Sequence, residues 1–379
     1  MALPPWPTLG WSARLRRDAA GHWWLFDTGV RGGWQRLSGP AVAQALTEPD
    51  GRANSVRATC RLPDGRLSVS TYELGVLTQA ADSPTAPLRR WPAARLPTAR
   101  PPLLMSFLPA AIGPGRAWLA AGDDFQLFDP HGGALRPLPT LGPDGARVAR
   151  VNARMLRRAP ATGQVWGSAE PGLYFLDSAA GVFRTYAPRP GAAPLAGVTI
   201  EDFWPDGRGQ LWLATPQGVE RLTIATGARL AYGPTAPPPR RAPFDGARCL
   251  LPDPATGRLW VGTRTHGLLC VEPDGHGRTV LAVGQGLPDG SVASLLRTPD
   301  GALWLGTYRG LVRYQPATGH LAVLTTANGL PHDELNAYAA TVDPTTQSLL
   351  VGGVAGMARV WPGRIRRGAT APRLLLTAV

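Results

Sequence analysis

Six histidines, three cysteines, 26 carboxylates and no lysine are the raw material for chemistry in this chain of 379 residues. All 39 basic residues are arginine, so a P-loop lysine, a Schiff base and a kinase β3 lysine are all ruled out. Neither a Gly-x-Ser-x-Gly elbow nor a His-Glu-x-x-His pair is present. His332-Asp333-Glu334-Leu335-Asn336 has a metal-like composition but lacks the second histidine of a zinc pair. The Asp-Gly pairs never extend into a calcium loop and read as turns that need no ion. Cys60, Cys249 and Cys270 are too few and too far apart for a disulfide framework or a zinc site. They read as buried free thiols, although Cys249 and Cys270 fall close together in one repeat unit. No cofactor and no metal is expected.

The formal net charge of +13 suggests nucleic acid at first sight. Arginine in place of every lysine, with only four Asn and four Ile, is instead the pattern of a GC-rich genome. The arginines are spread along the chain in isolated pairs and never form a block, so no nucleic-acid partner is expected. No apolar stretch reaches the ~18 residues of a membrane span. The first 30 residues lack a charged segment followed by an apolar run, which by itself implies a cytoplasmic protein.

The elements that must position any site come from a repeat. Leu303-Trp304-Leu305-Gly306-Thr307 echoes Leu259-Trp260-Val261-Gly262-Thr263 and Leu211-Trp212-Leu213-Ala214-Thr215, with weaker copies at Trp24, Ser68, Trp118, Trp166 and Leu350. Successive anchors lie 44 to 50 residues apart. A period in the forties with one tryptophan per unit marks an all-β chain, a β-propeller of four-stranded blades. Eight units are countable. In the clearest, 292–296 is a short apolar inner strand and Pro299-Asp300-Gly301 a hairpin turn. Strands at 303–307, 311–314 and 321–324 follow, the last after the turn Pro316-Ala317-Thr318-Gly319. The tryptophans fill the wedge between neighbouring blades, and Thr71, Thr215, Thr263 and Thr307 bond locally at the strand ends. A closed ring is expected, its last blade completed by an N-terminal strand near Trp6 to Trp11.

Strand order separates the loops by face. The stereotyped Pro-Asp-Gly and Ala-Thr-Gly hairpins share one face of the disc. The variable second-to-third loops and the crossovers share the other, which is where recognition usually sits. The candidate ligand-binding residues on that face are Tyr72, Glu73, Arg264, His266, Tyr308, Arg309, His332, Asp333 and Asn336. A propeller enzyme of lyase or lactonase type is the rival reading, with Asp123, Asp124, Glu170 and His266 as its groups. A protein-interaction propeller is a third.

The unit from Pro299 through Gly319 resembles the two-component regulator propeller repeat, found in the sensor regions of hybrid two-component regulators. Asn328-Gly329-Leu330-Pro331, Val351-Gly352-Gly353-Val354-Ala355-Gly356-Met357 and Trp361-Pro362-Gly363-Arg364-Ile365 resemble that family's last blade. Ala371 to Val379 resembles the opening strand of the immunoglobulin-like domain that follows it. The resemblance implies a propeller over 1–365, a linker and truncated strand over 366–379, and seven blades as the family norm. It implies a non-catalytic periplasmic sensor whose ligand is an oligosaccharide or other small molecule. Downstream sensor-kinase domains or another propeller would be its protein partners. Tyrosines would stack on the sugar, while Arg, Asn and carboxylates would bond its hydroxyls.

Overall fold

In a computed structural model of the chain, residues 134–364 are described almost throughout, with 171, 189–194, 196–197 and 243–245 excepted. Of the preceding part, 55–62, 64–71, 75–79 and the remaining strands are described. Each repeat folds into one antiparallel sheet. Blade 1 has strands Val56–Arg61, Leu67–Thr71, Gly75–Gln79 and Arg89–Arg90, and blade 2 has Leu104–Pro109, Ala117–Ala121, Asp124–Asp129 and Ala134–Pro137. Blade 3 comprises Ala153–Arg158, Val165–Ala169, Gly172–Asp177 and Val182–Thr185, with the short Thr140–Leu141 parallel to its outer strand. Blade 4 comprises Asp202–Pro205, Gln210–Thr215, Gly218–Thr223 and Arg229–Tyr232; blade 5 comprises Ala247–Asp253, Arg258–Thr263, Leu268–Val271 and Gly277–Leu281. Blade 6 has Val292–Arg297, Leu303–Thr307, Gly310–Gln315 and His320–Leu324. Blade 7 takes Leu335–Val342, Leu349–Gly353 and Gly356–Val360 from the C-terminal part of the chain, and Ala43–Leu46 from the N-terminal part.

The eight countable units are therefore eight sheets among the described residues. Seven follow one another around a ring, each inner strand packed beside the next and blade 7 beside blade 1. The unit at Trp24 gives a separate three-stranded sheet, Arg14–Arg17, Trp23–Asp27 and Gly33–Leu37. The strand that would have been its fourth crosses to blade 7, where Met357 faces Leu46 and Val360 faces Ala43. An N-terminal strand does complete the last blade, but at 43–46 and not near Trp6 to Trp11, which lie outside the described residues. Pairing there covers the edge of Gly356–Val360, which would otherwise present unpaired backbone groups to solvent.

Residue types explain the sheets. The anchor positions Ser68, Trp166, Trp260, Trp304 and Leu350 are all buried. Among the anchors whose side chains are described Trp212 is the exception, half-buried with the Arg221 guanidinium 5.6 Å from its ring; the side chains of Trp24 and Trp118 lie outside the description. The threonine that ends the second strand turns its hydroxyl back on the loop. Thr215, Thr263 and Thr307 donate to the carbonyls of Gly218, Gly267 and Gly310 at 3.1, 3.0 and 2.7 Å. In the hairpins, Asp206 accepts the N–H groups of Arg208 and Gln210, and Asp300 that of Ala302. All three cysteines are buried and free.

The seam between blades 7 and 1 is polar. Asp343 accepts from Arg61 of blade 1, with Nε at 2.8 Å, and from Arg359 of its own blade at 3.0 Å. Arg359 is fully buried and also reaches Gln79 of blade 1 at 3.3 Å.

Candidate functional site

Inner strands begin on the face that carries the crossovers and second-to-third loops, and there they share one irregularity. Pairing with the second strand skips one residue at the start of the inner strand in blades 1, 2, 3, 5 and 6 and a longer run in blade 7, and is regular in blade 4. The skipped residues are Arg57, Met105, Arg154, Arg248 and Ala293 in blades 1, 2, 3, 5 and 6, and 336–339 in blade 7. A bulge leaves its extra residue out of the ladder and re-aims it. Opposite the residue after the bulge stands something small: Ser70, Ser168, Gly262 or Gly306. At Gly262 a Cβ would run into the Cys249 sulfur, and at Gly306 into the Ser294 hydroxyl.

The bulges of blades 1, 3, 5 and 7 contribute to a cavity of about 510 Å³ on that face, at the mouth of the central channel. Its wall combines Arg57, Arg154 and Arg248 with Ser55, Asn152, Glu201, Glu334 and Asn336, plus Tyr308 and Val354 from second-to-third loops. Its floor includes Tyr338, whose φ of 64° lies in the left-handed region that a bulky side chain seldom adopts. The Tyr338 hydroxyl reaches from blade 7 across the ring to the Glu201 carbonyl beside blade 4, 2.5 Å away. Burial, and then the nearby Glu201 and Asp202 carboxylates, push this phenol well above its ordinary pKa, so it stays protonated and donating.

Below Tyr338 lies a second cavity of about 300 Å³, lined by inner-strand residues including Met155, Arg157, Trp204, Cys249 and Ser294. Arg157 stacks 4.4 Å from the Trp204 ring centroid and bonds Asp202 at 2.8 Å. Asp202 also accepts the N–H groups of Phe203 and Leu250. Burial pushes its carboxyl above the usual range, and Arg157 with these donors only partly offsets that. Burial likewise raises the Cys249 thiol, which donates to the Val292 carbonyl and is not a ready nucleophile.

The expected site residues are distributed unevenly. Tyr308 and Asn336 line the mouth cavity. Tyr308 is 40% exposed and its hydroxyl accepts from Arg248 at 2.6 Å. Asn336 braces blade 7 to blade 1 through Ser55 and the Val56 carbonyl, at 3.0 and 2.7 Å. Arg264 reaches the rim indirectly, through its ion pair with Glu201 at 2.7 Å. His266, Arg309, His332 and Asp333 sit on the same face but do not line the cavity. His266 is exposed beside the Thr265 hydroxyl, 3.1 Å away, and Arg309 is exposed on its loop. His332 accepts the Glu334 N–H, and Asp333 accepts the Thr326 N–H at 2.7 Å. Tyr72 and Glu73 lie outside the described residues. Among the groups of the enzyme reading, Glu170 is held by Asn152 and Arg154, Asp124 begins a strand of blade 2, and Asp123 lies outside the described residues.

The bulge arginines and Tyr338 were not expected. A signal for the arginines exists: Val56-Arg57-Ala58, Ala153-Arg154-Met155 and Ala247-Arg248-Cys249 each place Arg eleven or twelve residues before the anchors 68, 166 and 260. Nothing local marks Tyr338, because its role is set by the blade opposite.

Residues 286–309 match the family described as two component regulator propeller. The chain thus carries that repeat across the inner strand, first hairpin turn and second strand of blade 6. No curated protein sequence matches the chain. Among solved structures it resembles the extracellular domain assigned to hybrid two component system BT3049 of B. thetaiotaomicron, at 15% identity and a TM-score of 0.69 over 93% of this chain and 45% of that one. The corresponding domain of BT4673 from the same organism gives 14% identity and a TM-score of 0.64, covering 84% and 39%. A catalytically inactive virginiamycin B lyase from Staphylococcus aureus with Quinupristin gives 12% and 0.55, covering 84% and 98%. The chain therefore spans less than half the length of the two sensor domains. At these identities the likeness establishes the propeller fold.

Proposed function

We propose that this chain is a ligand-sensing propeller of a two-component regulator, which binds an oligosaccharide in the mouth cavity without turning it over. The observation that carries this reading is the cavity itself. It combines a tyrosine wall and a tyrosine floor with polar side chains drawn from several blades, and its volume of about 510 Å³ falls within the usual range of small-ligand sites. Tyr308 offers a ring to a sugar face, while Asn152, Asn336 and Glu334 offer directional bonds to hydroxyls. Arg264, His266, Arg309, His332 and Asp333 then belong to the surrounding rim, where a longer ligand would extend. A periplasmic location and coupling to kinase domains come with this reading, by analogy with the extracellular domains the chain resembles.

Calorimetry of the purified chain against a panel of plant and host glycans tests it. Binding without product formation, lost in Tyr308→Ala, is the expected result. Binding that survives Tyr308→Ala would place the site elsewhere. The likeness to a lyase keeps one alternative in view: product formation from any glycan, lost in His266→Ala, would favour the enzyme.

A further inference from the structure

We propose that the mouth cavity is a carboxylate seat, so that its ligand is an acidic saccharide held through a uronate group by arginines presented at the inner-strand bulges. The inference rests on the sensor reading and adds the charge class of the ligand. Its basis is the occupancy of the bulge position. In blades 1, 3 and 5 that position holds Arg57, Arg154 and Arg248, each skipped by the ladder and each lining the cavity. In blades 2 and 6, between or beside them, it holds the uncharged Met105 and Ala293. One backbone device, repeated around the ring, thus delivers guanidinium groups from alternate blades to a common opening.

Arg248 is the centre of the seat. Its Nη1 donates to two neutral oxygens, the Ser291 hydroxyl at 3.0 Å and the Tyr308 hydroxyl at 2.6 Å. Its guanidinium lies 5.2 Å from the Tyr308 ring centroid. Among the described residues no carboxylate pairs with it. Of the acids nearby, Glu170 pairs with Arg154 and Glu201 with Arg264, while Glu334 stands on the same wall without forming an ion pair with Arg248. Arginine carries five donors in a planar fork that matches the two oxygens of a carboxylate. With one end of the fork fixed by Ser291 and Tyr308, the free edge is oriented before a ligand arrives. Glu201 and Glu334 on the same wall favour a singly charged planar group over a doubly charged phosphate.

The test is calorimetry with galacturonate, glucuronate and mannuronate disaccharides, each paired with its carboxyl-reduced counterpart, at low and moderate salt. In the unmodified chain at least one uronate should bind about tenfold or more tightly than its reduced partner, a gap that narrows as salt rises. Arg248→Gln, with an unchanged melting temperature, should abolish the gap, and Arg248→Lys should recover only part of it because it keeps the charge without the fork. If a reduced disaccharide binds as tightly as its uronate, or Arg248→Gln leaves the gap intact, the carboxylate seat is overturned while saccharide sensing stands. A sulfated disaccharide that binds more tightly than every uronate would also overturn it. If no saccharide binds, acidic or neutral, the sensor reading fails and the seat with it.

Discussion

Trp304 and Tyr308 stand four residues apart and belong to different jobs. Trp304 is fully buried and its indole N–H donates to the Thr298 hydroxyl at 3.1 Å. Trp304→Ala should therefore cost about 3–5 kcal/mol, read as a lower midpoint in urea. Arg309→Ala, on the exposed loop beyond it, should stay within about 0.5 kcal/mol in the same assay. Equal losses from the two would mean the faces are misassigned. Tyr338 makes the sharper test at this scale. Its hydroxyl is the donor recorded at the Glu201 carbonyl, so Tyr338→Phe should destabilise the ring by about 1 kcal/mol. A neutral result would show that the bond across the channel adds nothing to stability.

At the scale of the strand, the bulge and the small residue opposite it form one unit. Gly262 pairs with Cys249 and Gly306 with Ser294, each on the residue after a bulge. A side chain at either glycine would strike the inner strand directly. Gly306→Val should therefore overpack the strand pair and cost about 1–3 kcal/mol or more, although valine ordinarily favours β-structure. Ser70 and Ser168 already occupy the equivalent positions in blades 1 and 3, so Gly306→Ser should be the milder change. Thermal melts of the two variants decide it; a valine variant as stable as the parent would mean that the bulge does not crowd its neighbour.

At the scale of the whole ring, stability depends on one seam. Removing residues 1–47 would strip Ala43–Leu46 from blade 7 and leave Gly356–Val360 as an open edge, so the truncated chain should melt earlier and self-associate on size-exclusion chromatography. The Asp343 cluster at the same seam is pH-sensitive. Burial tends to raise its carboxyl, but Arg61 and the backbone N–H of Thr345 outweigh this and hold it below the ordinary 3.8. A depressed pKa contributes stability above 3.8 that is lost as pH falls below it. Asp343→Asn should flatten that acid limb, and Asp343→Ala should cost about 3–5 kcal/mol by leaving the buried Arg359 charge uncompensated. An acid limb unchanged in Asp343→Asn would assign it to other carboxylates.

The repeat was legible because it is written in contiguous residues. An anchor every 44 to 50 positions, a Pro-Asp-Gly turn before it and a threonine after it specify a four-stranded sheet by local rules alone. Those rules gave the units and the face on which the mouth opens. They placed Tyr308 and Asn336 by loop position and left His332 and Asn336 equally readable as braces of the crossover, but did not mark Asp333 as one. The count in the ring, the strand that closes it and the floor of the cavity came only with the tertiary structure. Which blade the 43–46 strand joins is settled by the open edge more than 300 residues away. Which side chain a bulge turns into the mouth depends on the register between two strands, and Tyr338 acquires its place from a carbonyl on the far side of the channel. These are long-range pairings, and a local pattern of residue types carries no record of which distant partner a strand or a side chain will meet.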